Sequence, residues 1–327
     1  MYAAITRTRL SLYRRGTFRS TKLARPVISI GNITTGGTGK TPLVEWVSRR
    51  LAENGKSVCV LTRGYGRVQP GDRVLVSDGQ TVFSTPEQAG DEAFLLATNL
   101  KGIAAVISDA DRVSAGEDAI RHLRPDCFVL DDGFQHLRVA RDLDIVTIDA
   151  TNPWGGGKLL PEGRLRESLS GLSRAGAIVV TRVDQASDIE TLRKEISAYV
   201  SCPIFTSRMQ THRLTGLNSS LISLPEPVGA FCAVGNPKSF FEHVRRQGHA
   251  TVFERAMRDH HAYTQNDIDA LGRSAKDAGA RSLITTAKDA VKLRELNLPL
   301  PTYSLETEIS IDSEAEFAAL ILGSVKG

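Results

Sequence analysis

No stretch of this 327-residue chain is apolar for long enough to span a membrane or to act as a signal peptide. The chain is therefore expected to be cytosolic or peripheral to a membrane. Cysteine is scarce as well. Cys59, Cys127, Cys202 and Cys232 lie far apart, mostly beside apolar residues, and no C-x-x-C pair occurs, which fits buried free thiols in a reducing compartment. The net charge of +4 is small for a chain of this size and does not argue for nucleic acid. Repeats and low-complexity tracts are missing too. Acidic residues are absent from one place in particular. Residues 1–25 carry Arg7, Arg9, Arg14, Arg15, Arg19, Lys22 and Arg25 without an Asp or Glu, interleaved with Ile5, Leu10, Leu12, Tyr13, Phe18 and Leu23. Such a segment either lies on an anionic membrane surface or is a solvated basic tail.

The composition is that of a globular protein, long enough for a large core, and length alone favours two domains. The most informative stretch is PVISIGNITTGGTGKTP, from Pro26 to Pro42. A β-branched strand (Val27, Ile28, Ile30) delivers a glycine-rich loop, and a helix begins at Lys40 and Thr41. Gly36, Gly37 and Gly39 allow backbone N–H groups to face a phosphate, and the helix turns its positive end toward the same anion. Thr35, Gly36, Gly37, Thr38, Gly39, Lys40 and Thr41 are thus the expected ATP contacts. Lys40 would reach the β- and γ-phosphates, and the Thr41 hydroxyl would bind Mg²⁺. The strict pattern G-x-x-x-x-G-K-[ST] needs glycine where this chain has Thr34, so the loop is a variant.

A helix is expected from Thr41 to Asn54 and a buried strand from Ser57 to Leu61. That strand ends in a turn with Arg63 and Arg67, at the kind of strand edge where ligands collect in open α/β sheets. Each arginine is either a phosphate contact or an ordinary surface residue. Asp78-Gly79 between two short apolar runs reads as a hairpin. Asp91 and Glu92 open a helical stretch, where acids favour the helix dipole. An apolar strand, Cys127 to Leu130, runs into Asp131-Asp132-Gly133-Phe134-Gln135-His136, the layout of a Walker B element whose carboxylates hold Mg²⁺. Gln135 and His136 are candidates for the phosphate path. The long connection Thr151 to Arg166 carries Arg164 and Arg166, cations suited to an anionic substrate. Thr181-Arg182-Val183-Asp184 only loosely matches the N-K-x-D signature of guanine readers, so the purine preference is not legible. Periodicity breaks between Ser207 and Pro227, and a second α/β segment follows that contains Arg258-Asp259-His260-His261.

Together GNITTGGTGKTP, LTRGYGR, GDEAFLLA, LDDGFQHLRVARDLDIV, PEGRLRE, VGNPKSFF, RDHHAYT and TTAKDAVKL resemble the tetraacyldisaccharide 4'-kinase family over about residues 26–295. The resemblance implies transfer of the ATP γ-phosphate to the 4'-hydroxyl of a tetraacyl disaccharide 1-phosphate, with ATP and Mg²⁺ as cofactors. It implies that Asp91 acts with the histidine of the DHH motif, His260 or His261 with His260 preferred, to deprotonate the sugar hydroxyl. Lys40 joins them as a catalytic residue, Thr41, Asp131 and Asp132 form the metal set, and Arg63, Glu92, Gln135, His136, Arg164 and Arg166 line the substrate or phosphate path. The expected partners are the lipid disaccharide and an anionic membrane surface, with neither nucleic acid nor an obligate protein partner. The expected location is peripheral, on the cytoplasmic face of a bacterial inner membrane. The sequence departs from the family at its short, basic N-terminus, at Glu162 and at Ala287.

The expected architecture is α/β: a mainly parallel P-loop NTPase-type sheet flanked by helices, with a second, smaller α/β domain. The expected boundaries are 1–25 for the basic segment, 26–206 for the kinase domain, 207–227 for a linker and 228–327 for the smaller domain. Closure of the two domains would bring His260 to the phosphate loop. A P-loop GTPase or metal-cofactor chaperone is the competing class. It would be expected to carry a clean N-K-x-D and switch-loop threonines. A non-catalytic nucleotide-binding scaffold would be expected to have lost Lys40 or the acidic pair, and all are present.

Overall fold

The computed structural model describes residues 2–218 and 224–326, with side chains from residue 6 onward. Part of the expected linker, residues 219–223, and the first residue of the basic segment lie outside the described residues, as do the side chains of residues 2–5. The chain divides into two compact units, Met1–Met209 with Ile309–Gly327, and Gln210–Glu308.

The first unit is built on a sheet whose strands are β1 (Val27–Asn32), β2 (Val58–Thr62), β3 (Val74–Ser77), β4 (Ala104–Ser108), β5 (Cys127–Asp131), β6 (Leu143–Asp149), β7 (Ala177–Thr181) and the start of β8 (Ile204–Gly216). Their order is β8-β7-β6-β1-β5-β2-β4-β3. All neighbours are parallel except β3, which runs antiparallel to β4 at the edge. β1, β2, β4, β5 and β7 are buried along their whole length, as the uninterrupted apolar runs of a parallel sheet covered on both faces require. On one face Leu23, Val27, Cys59, Leu61, Phe128 and Leu130 pack with Ala115 and Ala119 of helix Arg112–His122. Helix Lys40–Glu53 buries Leu43, Val44, Val47 and Leu51, the residues whose spacing predicts it.

The second unit has β9 (Val228–Cys232), β10 (Thr251–Ala256), β11 (Ser282–Thr286) and most of β12 (Thr302–Ile311), in the order β10-β9-β11-β12 and parallel where paired. The far half of β8 runs beside β12, with Arg213 and Thr215 bonded to Glu306 at 2.8 and 2.6 Å.

Two features were not visible in the sequence. The break in periodicity after Ser207 covers a strand: β8 continues to Gly216 with its side chains alternately exposed and half-buried. Helix Glu314–Ser324 returns to the first unit, where Phe317 is fully buried with its ring 5.4 Å from Trp46 and 4.7 Å from Phe205. All four cysteines are free, and burial pushes the Cys127 and Cys232 thiols up to about 12. Among the described residues no helix is long and apolar enough to cross a membrane.

Candidate active site

The site residues of the first unit collect at the carboxyl ends of its central parallel strands, the place an open α/β sheet offers for a ligand. β1 ends at Asn32, and its amide donates to Thr38 Oγ1 at 2.9 Å; the same hydroxyl lies 2.8 Å from Thr147 Oγ1 at the end of β6. Thr181, the last residue of β7, donates to the Thr38 carbonyl at 3.0 Å. Three strand ends thus pin the glycine-rich loop from below. Gly36 and Gly39 take φ of 109° and 81°, in the region that favours glycine. A Cβ on Gly39 would also stand 3.3 Å from Thr181 Cγ2. The helix then opens at Lys40 with Gly39 as its cap. Of the Thr181-Arg182 pair, which looked loosely like a base reader, Thr181 holds the loop and Arg182 pairs with Asp149 at the end of β6, at 2.5 Å.

The connection after β6 pairs with the loop from the other side. Thr34 bridges Leu165, the Thr35 amide donates to the Arg164 carbonyl at 2.7 Å, and Arg166 N donates to Ile33 O at 2.7 Å. Arg164 Nε returns to the Thr35 carbonyl at 3.1 Å. The Thr35 amide is therefore engaged by the connection rather than turned to a phosphate.

This pairing brings Arg166 to Asp132, with Nη1 at 2.7 and 2.8 Å from the two carboxylate oxygens, while Lys40 Nζ stands 3.5 Å from the same group. Burial alone would raise Asp132, but Lys40 and Arg166 outweigh it and hold the carboxyl at about 2. Asp131 behaves oppositely. It is buried, accepts from Thr62 Oγ1 at 2.9 Å, and is pushed up to about 6 by burial first and then by Glu92 and Asp132. Gln135 is engaged at both ends: its amide donates to Asn32 O and Glu167 Oε1, each at 2.8 Å, and its carbonyl faces Arg166 Nη1 at 3.3 Å. Behind it Arg174 grips Glu167 through two bonds of 2.8 and 2.9 Å and lies 4.2 Å above the Phe134 ring.

His136 is pushed down to about 4 by burial and by Arg112, Arg138, Arg9 and Arg141. Arg63 is exposed. Arg67 is a scaffold residue and not a phosphate contact: it is buried and donates to the carbonyls of Ser108, Asp72 and Pro70. Asp91 and Glu92 fill the first turn of helix Asp91–Asn99, behind a cap at Gly90 whose φ is 89°. A Cβ on Gly90 would stand 2.5 Å from the Tyr65 carbonyl, so LTRGYGR and GDE are packed backbone to backbone.

In the second unit His260 has φ of 61°, and its amide donates to the Ala233 carbonyl at 3.3 Å. Its Nε2 lies 3.1 Å from Lys288 Nζ, which also reaches Asp259 at 3.4 Å. His261 instead bonds Asp267 at 3.1 Å, within the capping box of helix Gln265–Asp277, and sits edge-on to Tyr263. The two histidines thus differ: His261 is tied into a helix start, while His260 sits on a strained turn beside a lysine.

Glu167, Arg174, Arg112 and Lys288 escaped the sequence reading as site residues. Glu167 and Lys288 lie inside motifs already singled out, PEGRLRE and TTAKDAVKL, and that was their only sequence signal.

Asp131 and Asp132 fit a magnesium ion. Such an ion takes one or two carboxylates and leaves the rest of its shell to phosphates and water. Asp131 is raised by burial first and then by the negative charge of Glu92 and Asp132, and a divalent cation would relieve that charge. Among the described residues no group of three or more His, Cys, Asp or Glu is placed to hold a metal ion by itself.

A buried strand, a glycine-rich loop ending in Lys-Thr, a helix and an aspartate pair on the adjacent parallel strand define a P-loop kinase of α/β fold. A family model for the tetraacyldisaccharide-1-P 4'-kinase matches residues 1–326, and the chain belongs to that family. A tetraacyldisaccharide 4'-kinase of Desulfotalea psychrophila is 38% identical over 331 residues, spanning 98% of this chain and 93% of its own. One from Pelobacter propionicus is 42% identical over 298 residues, spanning 90% and 81%. The crystal structure of LpxK from Aquifex aeolicus in complex with ATP has a TM-score of 0.77 at 28% identity, covering 99% of this chain and 96% of that one. The family reading of the sequence and its α/β fold class both hold.

Proposed function

We propose that this chain transfers the γ-phosphate of ATP to the 4'-hydroxyl of a tetraacyl disaccharide 1-phosphate, the reaction its family name describes, as a step of lipid A biosynthesis. The observation that carries the reading is the charge arrangement at the strand ends: Lys40 and Arg166 converge on Asp132, next to a pinned glycine loop. Phosphoryl transfer asks a protein mainly for positioning and for neutralisation of charge on the transferred oxygens. The loop amides, Lys40 and Arg166 supply positive groups from three directions. Thr41, Asp131 and Asp132 would hold Mg²⁺, which when bound neutralises phosphate charge. Glu167, clamped by Arg174, orients Gln135, and Gln135 orients Arg166, so the arginine is held by a chain of bonds rather than by its own flexible stem.

For the acceptor hydroxyl we assign proton removal to Asp91 and His260. A carboxylate that accepts from one imidazole nitrogen fixes the tautomer and raises the basicity of the other, which then takes the proton. Lys288 Nζ lies 3.1 Å from His260 Nε2, so proton removal at that nitrogen requires this contact to open. The basic helix Tyr2–Arg14, with Arg7, Arg9 and Arg14, suits an anionic bilayer surface, and we assign the enzyme to the cytoplasmic face of the inner membrane as a peripheral protein.

The test is a transfer assay with phosphorus-32 in the γ position of ATP, Mg²⁺ and detergent-dispersed tetraacyl disaccharide 1-phosphate. Label enters the lipid with the native chain and falls at least about a hundredfold with Lys40→Ala, in the range usual for loss of a principal charge stabiliser. Bound nucleotide without labelled lipid would sink the proposal.

A further inference from the structure

Beyond the contact of Lys288 with His260, the chemistry above gives the motif TTAKDAVKL no task. The motif forms the end of β11, the short helix Ala287–Ala290 and a 3-10 turn, Val291–Leu293. Its Asp289 is 0% exposed, a carboxylate taken wholly out of water inside the second unit. Oδ2 accepts from Thr286 Oγ1 at 2.7 Å and from Ala233 N at 2.9 Å. Oδ1 is buried with no hydrogen-bond partner, and Lys292 Nζ stands 3.9 Å from it. Burial pushes the carboxyl up, and the bonds to Ala233 and Thr286, with Lys292 and Lys288, offset this only in part. A buried carboxylate of this kind is a poor device for stability. Nor is it needed to start the helix. The Thr286 hydroxyl already caps that helix by accepting from Asp289 N at 3.1 Å, a bond that uses only the main chain of Asp289. What the carboxylate adds is its hold on Ala233.

Ala233 follows β9, and its carbonyl accepts from His260 N at 3.3 Å. The same residue is therefore bonded to Asp289 through its N–H and to His260 through its C=O. The neighbours of Asp289 reach the same turn. Lys288 Nζ lies 3.1 Å from His260 Nε2 and 3.4 Å from Asp259 Oδ1, and Lys292 Nζ donates to the His261 carbonyl at 3.2 Å. Residues 288, 289 and 292 thus hold 259, 260 and 261 by side chain, through Ala233 and by main chain. His260 needs such a hold. Its φ of 61° is unfavourable for any residue but glycine and persists only where the surroundings over-determine it.

We propose that Asp289 is a positioning residue for phosphoryl transfer: through Ala233 it fixes the turn that carries His260, and so places the imidazole for the acceptor hydroxyl. The proposal rests on the proton-removal role assigned to His260 above. Asp289 acts at one remove from the reacting atoms. A displacement of about 1 Å at a reacting group costs on the order of a hundredfold in rate even when no group of the site is lost.

The experiment measures kcat and the KM for ATP with the native chain, Asp289→Asn and Asp289→Ala, and repeats Asp289→Ala on a His260→Ala background. Asparagine keeps an oxygen for Ala233 N, whereas alanine loses both bonds made by Oδ2. We expect Asp289→Ala to lower kcat about a hundredfold with the KM for ATP within about twofold, and Asp289→Asn to restore kcat to within about fivefold of native. With His260 already alanine, Asp289→Ala should cost less than about twofold, because the base it places is gone. The same proportional loss on both backgrounds would overturn the proposal. If Asp289→Ala does not fold, Asp289→Ser takes its place in the same comparison, since its hydroxyl stops one bond short of Oδ2. A second arm follows deuterium uptake by the peptide spanning residues 257–263 within the full chain. Uptake should rise in Asp289→Ala and stay native in Asp289→Asn, and unchanged uptake in both would overturn the hold on the turn. A His260→Ala chain with native kcat would instead overturn the proton-removal reading and the catalytic purpose of the hold, while raised uptake would still support the hold itself.

Discussion

Asp131 and Asp132 are neighbours in sequence, yet Lys40 and Arg166 stabilise the charge on Asp132 while burial, Glu92 and Asp132 itself oppose the charge on Asp131. For Asp131 the folded protein binds a proton more readily than the unfolded chain. Its penalty is therefore absent below pH 4, grows as pH rises, and is complete above about 6. Asp131→Asn should accordingly be more stable than the native chain at pH 7.5, by up to roughly 3 kcal/mol, and the gain should vanish near pH 4. Urea unfolding across that range checks this; a gain that does not change with pH would contradict it. His136 has the opposite slope, since its imidazole is held neutral when folded and the unfolded chain binds the extra proton between about 4 and 6.5. Removing Asp131 should thus expose a stability that rises with pH in this window. A second prediction concerns the ion pair behind Gln135. Glu167 is 1% exposed, so Arg174→Met leaves a buried carboxylate unmatched and should cost about 3–5 kcal/mol, whereas the double change with Glu167→Gln should recover much of it. Lys40, Thr41 and the aspartate pair were legible because each sits at a fixed offset from glycines or a strand end. Arg112 and Arg174 were not, because their meaning comes from partners 19 to 24 residues away in one case and from the Phe134 face in the other. Arg67 shows the reverse error: its loop position suggested a ligand, but both of its terminal nitrogens are bonded to backbone carbonyls.

At the level of elements, the site depends on loops held by strand ends rather than by their own sequence. Thr38 is fixed by Asn32, Thr147 and Thr181, each the last or nearly the last polar residue of a buried strand. The Gly90 turn is held just as tightly, and Gly90→Ala must displace either Tyr65 or the start of helix Asp91–Asn99. We predict that this change lowers kcat at least about tenfold, equivalent to 1.4 kcal/mol of barrier, while ATP affinity stays within about twofold. Equal loss of both would show that the turn shapes the nucleotide site instead. Strands β1, β2 and β5 and helix Lys40–Glu53 could be read from apolar runs and spacing, whereas β12 was not read. The second half of β8 could not, because its exposed side chains include Arg208, Gln210, His212 and Arg213, which read as loop when their partners are unknown.

For the whole molecule, the α/β class and the family were legible from motifs spread along the chain, while the division of the chain was not. Helix Glu314–Ser324 joins the first unit through Phe317, and a single buried aromatic in an apolar helix does not announce which core it enters. Asp91 belongs to the first unit and His260 to the second. If both serve proton removal, His260→Ala and Asp91→Ala should each lower kcat by about 10² to 10⁴ with little change in ATP affinity, and the double variant should be no worse than the poorer single one. Additive losses would mean that the two residues act separately. The central claim is the identity of the bond formed, and the most direct measurement is a two-dimensional phosphorus-31 to proton correlation spectrum of the lipid product. The account predicts a second phosphomonoester coupled to the proton on C4', with the original 1-phosphate unchanged. A pyrophosphate at C1, or ADP formed without a new ester, would contradict it.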